Sequence, residues 1–187
     1  MDGLLSVFTA FGLSSSAGLN AYVPLLVVAL LARFTDLITL KPPWSALESW
    51  WAIGVLVVLL LIEILVDKIP AVDSVNDVIQ TFVRPVAGAI LFAGSAGVIA
   101  DVHPVLALIC GLLVAGGVHA VKATARPIVT GTTGGTLNPV VSTAEDVLSL
   151  VVAVVAIVLP VLALVFLLLL IVWFIRRRRR KRRAEAW

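Results

Sequence analysis

Charged side chains lie inside segments that are apolar enough to cross a membrane. His119, Lys122 and Arg126 follow one another at spacings of three and four, so they share one face of a helix. Arg84, from another segment, adds a fourth cation. A cluster of cations in a membrane domain predicts a site for phosphate, carboxylate or another anion. Two other interpretations stay open: snorkelling of Lys122 and Arg126 to the interface, and pairing with acidic residues.

The acidic residues form a second set. Glu63 and Asp67 are four apart and share a face of their segment. Glu63 either pairs with Lys68 or another cation, or carries a coupling ion or proton. Glu145 and Asp146 begin the last apolar segment, where acids complement the helix dipole. We predict that these acids and Lys68 are coupling or structural charges: Glu63, Asp67, Lys68, Asp77, Glu145 and Asp146. We also predict that at least three of the following residues form one buried network: Glu63, Asp67, Lys68, Arg84, Lys122, Arg126, Glu145 and Asp146.

Two polar interruptions supply the third kind of group. The first is the Ser- and Gly-containing stretch 14–20, and the second is the Gly- and Thr-rich stretch 131–139. Unwound backbone and helix N-termini bind anions and polar solutes, although simple helix capping explains the same residues. We predict that both stretches are unwound at membrane depth and approach each other. The predicted substrate-binding residues are Ser15, Ser16, Asn20, Arg84, His119, Lys122, Arg126, Thr133 and Asn138.

The composition sets the class of protein that must position these groups. Of the 187 residues, 61% are hydrophobic and only 13% are charged, whereas a soluble domain carries about 25% charged residues. Eight of the cations are contiguous at 176–183, and residues 1–175 carry a net charge of about −4. We therefore divide the chain into a membrane domain over 1–175 and a basic cytoplasmic tail over 176–187.

The predicted fold is an all-α polytopic membrane helix bundle with broken or re-entrant segments. Apolar segments cover about 4–33, 50–66, 86–100, 104–121 and 142–175, which indicates five crossings within a range of four to six. The linker 67–85 is predicted to form an interfacial or re-entrant amphipathic helix, capped by Ser74 with Asp77. The linker 122–142 is predicted to be re-entrant or folded into a cavity, with a capping box of Ser142 and Glu145 starting the last helix.

The basic tail predicts the orientation and one partner. Contiguous arginines after Ile175 favour a cytoplasmic C-terminus and contacts with anionic lipid headgroups through Arg176–Arg183. This orientation puts Lys68, Arg84, Lys122 and Arg126 on the outer side, and we resolve the conflict by predicting that they are buried in protein. We expect no nucleic-acid partner, because no recognition module is present. The oligomeric state stays open, a homo-oligomer included.

Several motifs together resemble a known group. They are Gly18-Leu19-Asn20-Ala21-Tyr22-Val23-Pro24-Leu25-Leu26, Asp67-Lys68-Ile69-Pro70-Ala71-Val72-Asp73-Ser74, Thr81-Phe82-Val83-Arg84-Pro85, His119-Ala120-Val121-Lys122-Ala123 and Glu145-Asp146-Val147. The chain resembles an uncharacterised bacterial integral-membrane family that is known only as a domain of unknown function. The resemblance implies a polytopic bacterial inner-membrane protein and implies no activity.

Transport is the function that the sequence favours. We expect a small inner-membrane transporter or channel for a polar, anionic small solute, with a site between the two interrupted segments. The alternatives are a membrane enzyme or lipid-handling protein acting on a phosphate-bearing headgroup, and a non-catalytic membrane assembly factor. No nucleophile–base or zinc motif occurs, and Cys110 is the single cysteine. We therefore assign no catalytic residue and expect no metal and no cofactor.

Overall fold

The computed structural model describes residues 2–67, 70–96 and 103–158, and these residues form an all-α bundle. Predictions about Lys68 and the basic tail lie outside the described residues. The helices are α1 (Asp2–Leu19), α2 (Tyr22–Phe34), α3 (Trp50–Val66), α4 (Pro70–Ala96), α5 (Pro104–Thr133) and α6 (Asn138–Val158), with a short 3-10 helix at Trp44–Glu48. The predicted all-α class is confirmed.

Three described helical stretches are long and apolar enough to cross a membrane: Asn76–Ser95, Pro104–Thr133 and Asn138–Val158. The apolar helices α2 and α3 are shorter. Helix α3 begins and ends where the sequence predicts. Ser49 caps its start by accepting a hydrogen bond from the Ala52 amide at 3.2 Å. Its outward side chains, such as Val58 and Leu61, are exposed and apolar, as lipid-facing positions are.

The first polar interruption is far shorter than predicted. The helix α1 continues through Ser14, Ser15 and Ser16, and only Asn20 and Ala21 lie between the end of α1 and the start of α2. Pro24 explains the position of this break. Its ring would clash with the carbonyl of Asn20, four residues earlier, if one helix ran through both. Helix α1 therefore ends before this break, and α2 begins after it.

The two linkers also differ from the prediction. Residues 70–96 form one helix around Pro85, and residues 104–133 form another around Pro127. The capping boxes at Ser74 and Ser142 are therefore wrong, since both residues lie inside helices. Proline costs a helix one hydrogen bond, but long helices packed against neighbours tolerate it.

The second interruption is a tight turn between helices. Gly134 and Gly135 have φ values of 61° and 80°, and Gly134 ends α5 in the left-handed conformation. This is the usual glycine ending of a helix. Because α6 begins at Asn138, only residues 134–137 lie outside helices, and the prediction of a re-entrant segment over 122–142 is wrong.

One half of the bundle is packed through small residues. The buried stripe of α5 begins with Ala107, Gly111 and Ala115, and a Cβ added to Gly88 of α4 would collide with the Ala115 side chain. Ser14 of α1 donates a hydrogen bond to the Gly88 carbonyl at 2.9 Å. Small residues and interhelical hydroxyl bonds are how membrane helices approach closely.

We expect Gly88→Ala to destabilise the protein by about 1–3 kcal/mol, because an added methyl group forces packed backbones apart. Gly54→Ala on α3 is the matched control, since no atom lies within 4 Å of its added Cβ. Unfolding in detergent, followed by circular dichroism, measures both variants. Equal stabilities of the two variants would contradict this account of the packing.

Candidate functional site

The buried polar and charged side chains form a cluster, here called the polar core, at one end of the bundle. It is built where α3 ends, α4 begins, α5 ends and α6 begins, next to the break between α1 and α2. The buried face of α5 that carries the small residues also carries His119, Lys122 and Arg126 at this end of the bundle. Their spacings of three and four keep them on the packed face, as the sequence predicts.

Arg126 joins helices through three carboxylates. Its Nη2 atom lies 3.0 Å from Glu145 Oε2 and 3.5 Å from Asp67 Oδ2, and its Nη1 atom lies 3.3 Å from Asp77 Oδ2. Its side chain is 9% exposed. Because the carboxylates come from α4, α6 and the end of α3, this one guanidinium ties α5 to three neighbours.

Lys122 connects this cluster to the helix break. Its Nζ atom lies 2.8 Å from Glu145 Oε2 and donates to the carbonyl of Leu19 at 3.0 Å. Leu19 is the last residue of α1, so its carbonyl is one of those that a helix end leaves without an intrahelical partner. The ammonium group of Lys122 therefore satisfies the broken end of α1.

Asn20 satisfies the other side of the break. Its Oδ1 atom accepts hydrogen bonds from the amides of Tyr22 and Val23 at 2.9 and 3.0 Å, and its Nδ2 atom donates to Asp146 Oδ1 at 2.8 Å. The side chain thus caps the start of α2 and binds α6 at the same time. The break is held in place by groups that come from α5 and α6.

We expect Asn20→Ala to cost about 0.5–2 kcal/mol of stability, the usual range for a lost N-cap. Asn20→Asp keeps a capping oxygen but puts a second carboxylate against Asp146, so we expect it to be at least as destabilising as Asn20→Ala. Unfolding in detergent at neutral pH compares the two variants. An Asn20→Asp protein as stable as the wild type would show that the contact with Asp146 contributes little.

A second cluster surrounds Arg84, whose side chain is fully buried. Its Nη2 atom donates to Glu63 Oε1 at 3.0 Å, and its Nη1 atom lies 3.2 Å from His119 Nδ1. His119 Nε2 lies 3.0 Å from Thr81 Oγ1. A chain of polar contacts therefore runs from α3 through α4 to α5.

The hydrogen-bond directions fix the state of His119. Thr81 donates its only hydroxyl hydrogen to the carbonyl of Asp77 at 2.9 Å, so it must accept from His119 Nε2. Arg84 has only donors, so His119 Nδ1 must accept from it. One ring nitrogen carries the hydrogen and the other does not, which is a neutral imidazole.

Asp67 has a partner for each oxygen. Asn76 donates to Oδ1 at 2.9 Å, and Ser142 donates to Oδ2 at 2.6 Å. Burial alone would raise the pKa of Asp67, but these two donors and the charges of Arg126 and Lys122 outweigh it and hold the pKa below its usual value. Ionised Asp67 therefore stabilises the fold at neutral pH, and this contribution is lost as the pH falls through its lowered pKa.

Of the predicted network, Asp67, Lys122, Arg126 and Glu145 are joined by ion pairs, Glu63 and Arg84 pair with each other in the second cluster, and Asp146 binds Asn20. The three described cations on its list are buried as predicted. Other predicted site residues have structural partners. Ser16 bonds Ser149 of α6 at 2.7 Å through the Ser149 carbonyl, and Thr130 donates to Asn138 across the turn. Ser15 and Thr133 donate to carbonyls of their own helices, at Phe11 and Val129. The break at Asn20 contacts α6 at a point about 12 Å along the α6 axis from Asn138. It does not pack against the turn before α6, so the prediction that the two polar stretches approach each other is wrong.

Several site residues were missed by sequence reasoning. Asn76 and Gln80 lie eight and four residues before Arg84, and Ser142 and Ser149 flank the acidic pair of α6. A spacing of three or four between polar residues inside an apolar segment is the signal that would have found them, because it puts them on the face of the known charges.

The fold and the site together define an α-helical membrane bundle with a buried charge network. Residues 7–180 match the model of the family described as "Domain of unknown function (DUF4126)", so the chain belongs to this family. Neither the curated proteins nor the solved structures contain a match.

Proposed function

We propose that the protein is a small membrane transporter or channel for a small polar solute. The observation that carries the proposal is the network of buried and half-buried charges at the broken helix, inside a bundle with an apolar exterior. Buried charges are expensive in a membrane, so they are retained chiefly where they serve an ion or solute pathway. A discontinuous helix beside them is the usual way in which transporters build such a pathway.

The charge balance refines the expected substrate. Arg84, Lys122 and Arg126 are each paired with carboxylates at 2.8–3.5 Å. The described network also has more carboxylates than cations. This arrangement favours a cation, a proton-linked solute or a neutral polar solute over the anion that the sequence suggested.

The alternative functions have weaker support. An apolar groove runs along α6, lined by Pro139, Val140, Thr143, Ala144, Val147, Leu148 and Val151. These residues carry no charge to hold a phosphate-bearing headgroup, so the groove is what a lipid-facing helix surface would show. We therefore place the lipid-handling enzyme and the assembly factor behind transport.

Localisation and orientation belong to the same proposal. We place the protein in the bacterial inner membrane, with residues 176–187 as a cytoplasmic tail on anionic lipid. Because the polar core lies where α6 begins, this orientation would put the core on the side of the membrane opposite the tail.

Flux into proteoliposomes tests transport. Full-length protein is reconstituted, and uptake of a panel of anions, cations and neutral polar solutes is compared with empty vesicles. We expect Lys122→Gln to reduce flux at least tenfold, because Lys122 links Glu145 to the open end of α1. Arg33→Gln is the matched control, since Arg33 is exposed. Flux of no solute, or equal flux in both variants, would count against the proposal, and anion-selective flux would reverse the refinement.

A further inference from the structure

Three buried polar atoms around Arg84 have no hydrogen-bond partner. They are Glu63 Oε2, Gln80 Oε1 and Arg84 Nε, and their residues are 2%, 1% and 0% exposed. Gln80 and Arg84 are four apart on α4, so both lie on the face that meets Glu63. Tyr22 of α2 interacts with all three residues. Glu63 Oε2 and Gln80 Oε1 are acceptors without a donor, and Arg84 Nε is a donor without an acceptor, so a hydrogen bound at Glu63 Oε2 would give one of the two oxygens a donor to share.

Glu63 differs from the other carboxylates in this respect. Both oxygens of Asp67, the other fully buried carboxylate, accept hydrogen bonds, and Asp146, which accepts one from Asn20, is only half-buried. Glu63 receives a single hydrogen bond, from Arg84 to Oε1. A buried charged oxygen with no donor is unfavourable unless the group becomes neutral.

The charge count points the same way. The described network contains three paired cations, Arg84, Lys122 and Arg126, and His119 is neutral by its hydrogen bonds. It contains five carboxylates, on Glu63, Asp67, Asp77, Glu145 and Asp146. A net charge of about −2 in a bundle of apolar helices is costly, and one bound proton removes half of it.

We propose that Glu63 is a proton-binding site: a proton added at Oε2 turns the carboxylate into a neutral carboxylic acid. The charged groups that face Glu63 are Arg84 of α4, Lys122 of α5 and Asp67 at the end of α3, with the phenol of Tyr22 on α2. A proton fits this pocket better than a metal cation, because the guanidinium of Arg84 would repel a fixed positive charge beside it.

Protonation has a structural consequence. It removes the anion that Arg84 pairs with, and α3 touches α4 at few other positions. At the end of α3, Asp67 keeps its contacts with Asn76, Ser142 and Arg126. If the proposed transport function holds, this proton is the coupling ion. Proton binding to Glu63 does not require that the protein is a transporter.

Infrared difference spectroscopy on the purified full-length protein in detergent tests the site. We expect a neutral carboxylic acid C=O band near pH 7, where an ordinary Glu, with a pKa of about 4.3, is ionised. The band should vanish in Glu63→Gln and persist in Glu48→Gln, a matched change outside the network. Because the wild-type spectrum alone tests for a bound proton, the test survives a Glu63→Gln variant that fails to fold.

Three outcomes would overturn the proton site: no such band down to about pH 5, a band that survives Glu63→Gln, or a band abolished by adding Na⁺ at constant pH, which would indicate a metal-cation site. Proteoliposome flux separates the two proposals. A band without any solute flux refutes transport and supports proton binding, whereas flux without the band refutes proton binding only.

Discussion

Arg126→Gln is expected to be among the most destabilising single substitutions, lowering the free energy of unfolding by about 3–5 kcal/mol. Removing one partner of a buried ion pair leaves the other charge uncompensated, which costs this much for a single pair. Arg126 faces the carboxylates of Asp67, Asp77 and Glu145. Lys122 still neutralises Glu145 in the variant, so the loss falls mainly on the two aspartates.

Equilibrium unfolding in mixed micelles with increasing sodium dodecyl sulfate, followed by circular dichroism, measures this loss. Arg33→Gln is the control. Arg33 is exposed, donates to the Glu48 carbonyl at 2.7 Å and lies 4.2 Å from the centre of the Trp50 ring. We expect the control to change stability by less than about 1 kcal/mol, as surface contacts do. Similar losses in the two variants would show that the buried network contributes little.

The sequence predicts best where one local pattern decides the structure. Helix α3 occupies Trp50–Val66 as expected, because an unbroken apolar run follows a capping serine. The shared face of His119, Lys122 and Arg126 also follows from spacing alone once the helix continues. Both features depend on residues within a few turns of one another.

The errors arise where burial by distant helices overrides a local polar pattern. Residues 76–84 carry Asn, Asp, Gln, Thr and Arg, which by themselves favour a water interface. In the bundle Asn76 binds Asp67, and Arg84 binds Glu63. No periodicity within α4 identifies these partners, because they come from α3. The polar stretch after Lys122 predicts a re-entrant segment for the same reason: its partners in other helices are not visible in the local pattern.

Whether the cations bind an anionic solute or pair with carboxylates of the protein stays open from the sequence for the same physical reason. Three cations on one face attract anions, but the sequence alone does not say whether those anions are ligands or carboxylates of the protein. Glu145 lies nineteen residues beyond Arg126 and returns to it only because the left-handed glycines at 134 and 135 reverse the chain. The charge balance of the site is thus a property of the tertiary structure.

Breaking the pair of Glu63 and Arg84 is the second large effect. With Glu63 ionised, Arg84→Gln is expected to cost about 3–5 kcal/mol, since it strands a buried carboxylate. Glu63→Gln strands the guanidinium instead, which keeps only the contact with His119. The double variant removes both charges and leaves two amides of nearly native size. Its loss should therefore be smaller than the sum of the single losses, by about 0.5–3 kcal/mol.

The double-mutant cycle is measured by the same unfolding assay, at a pH near 8 so that Glu63 in the wild type is ionised and paired with Arg84. Arg84→Gln combined with Glu48→Gln is the control pair, because Glu48 lies in the 3-10 helix outside the network, and additivity within about 0.5 kcal/mol is expected there. Additive losses for Glu63 and Arg84 as well would mean that the 3.0 Å contact between them adds no coupling. A coupling that shrinks as the pH is lowered would instead tie the strength of this pair to the protonation of Glu63.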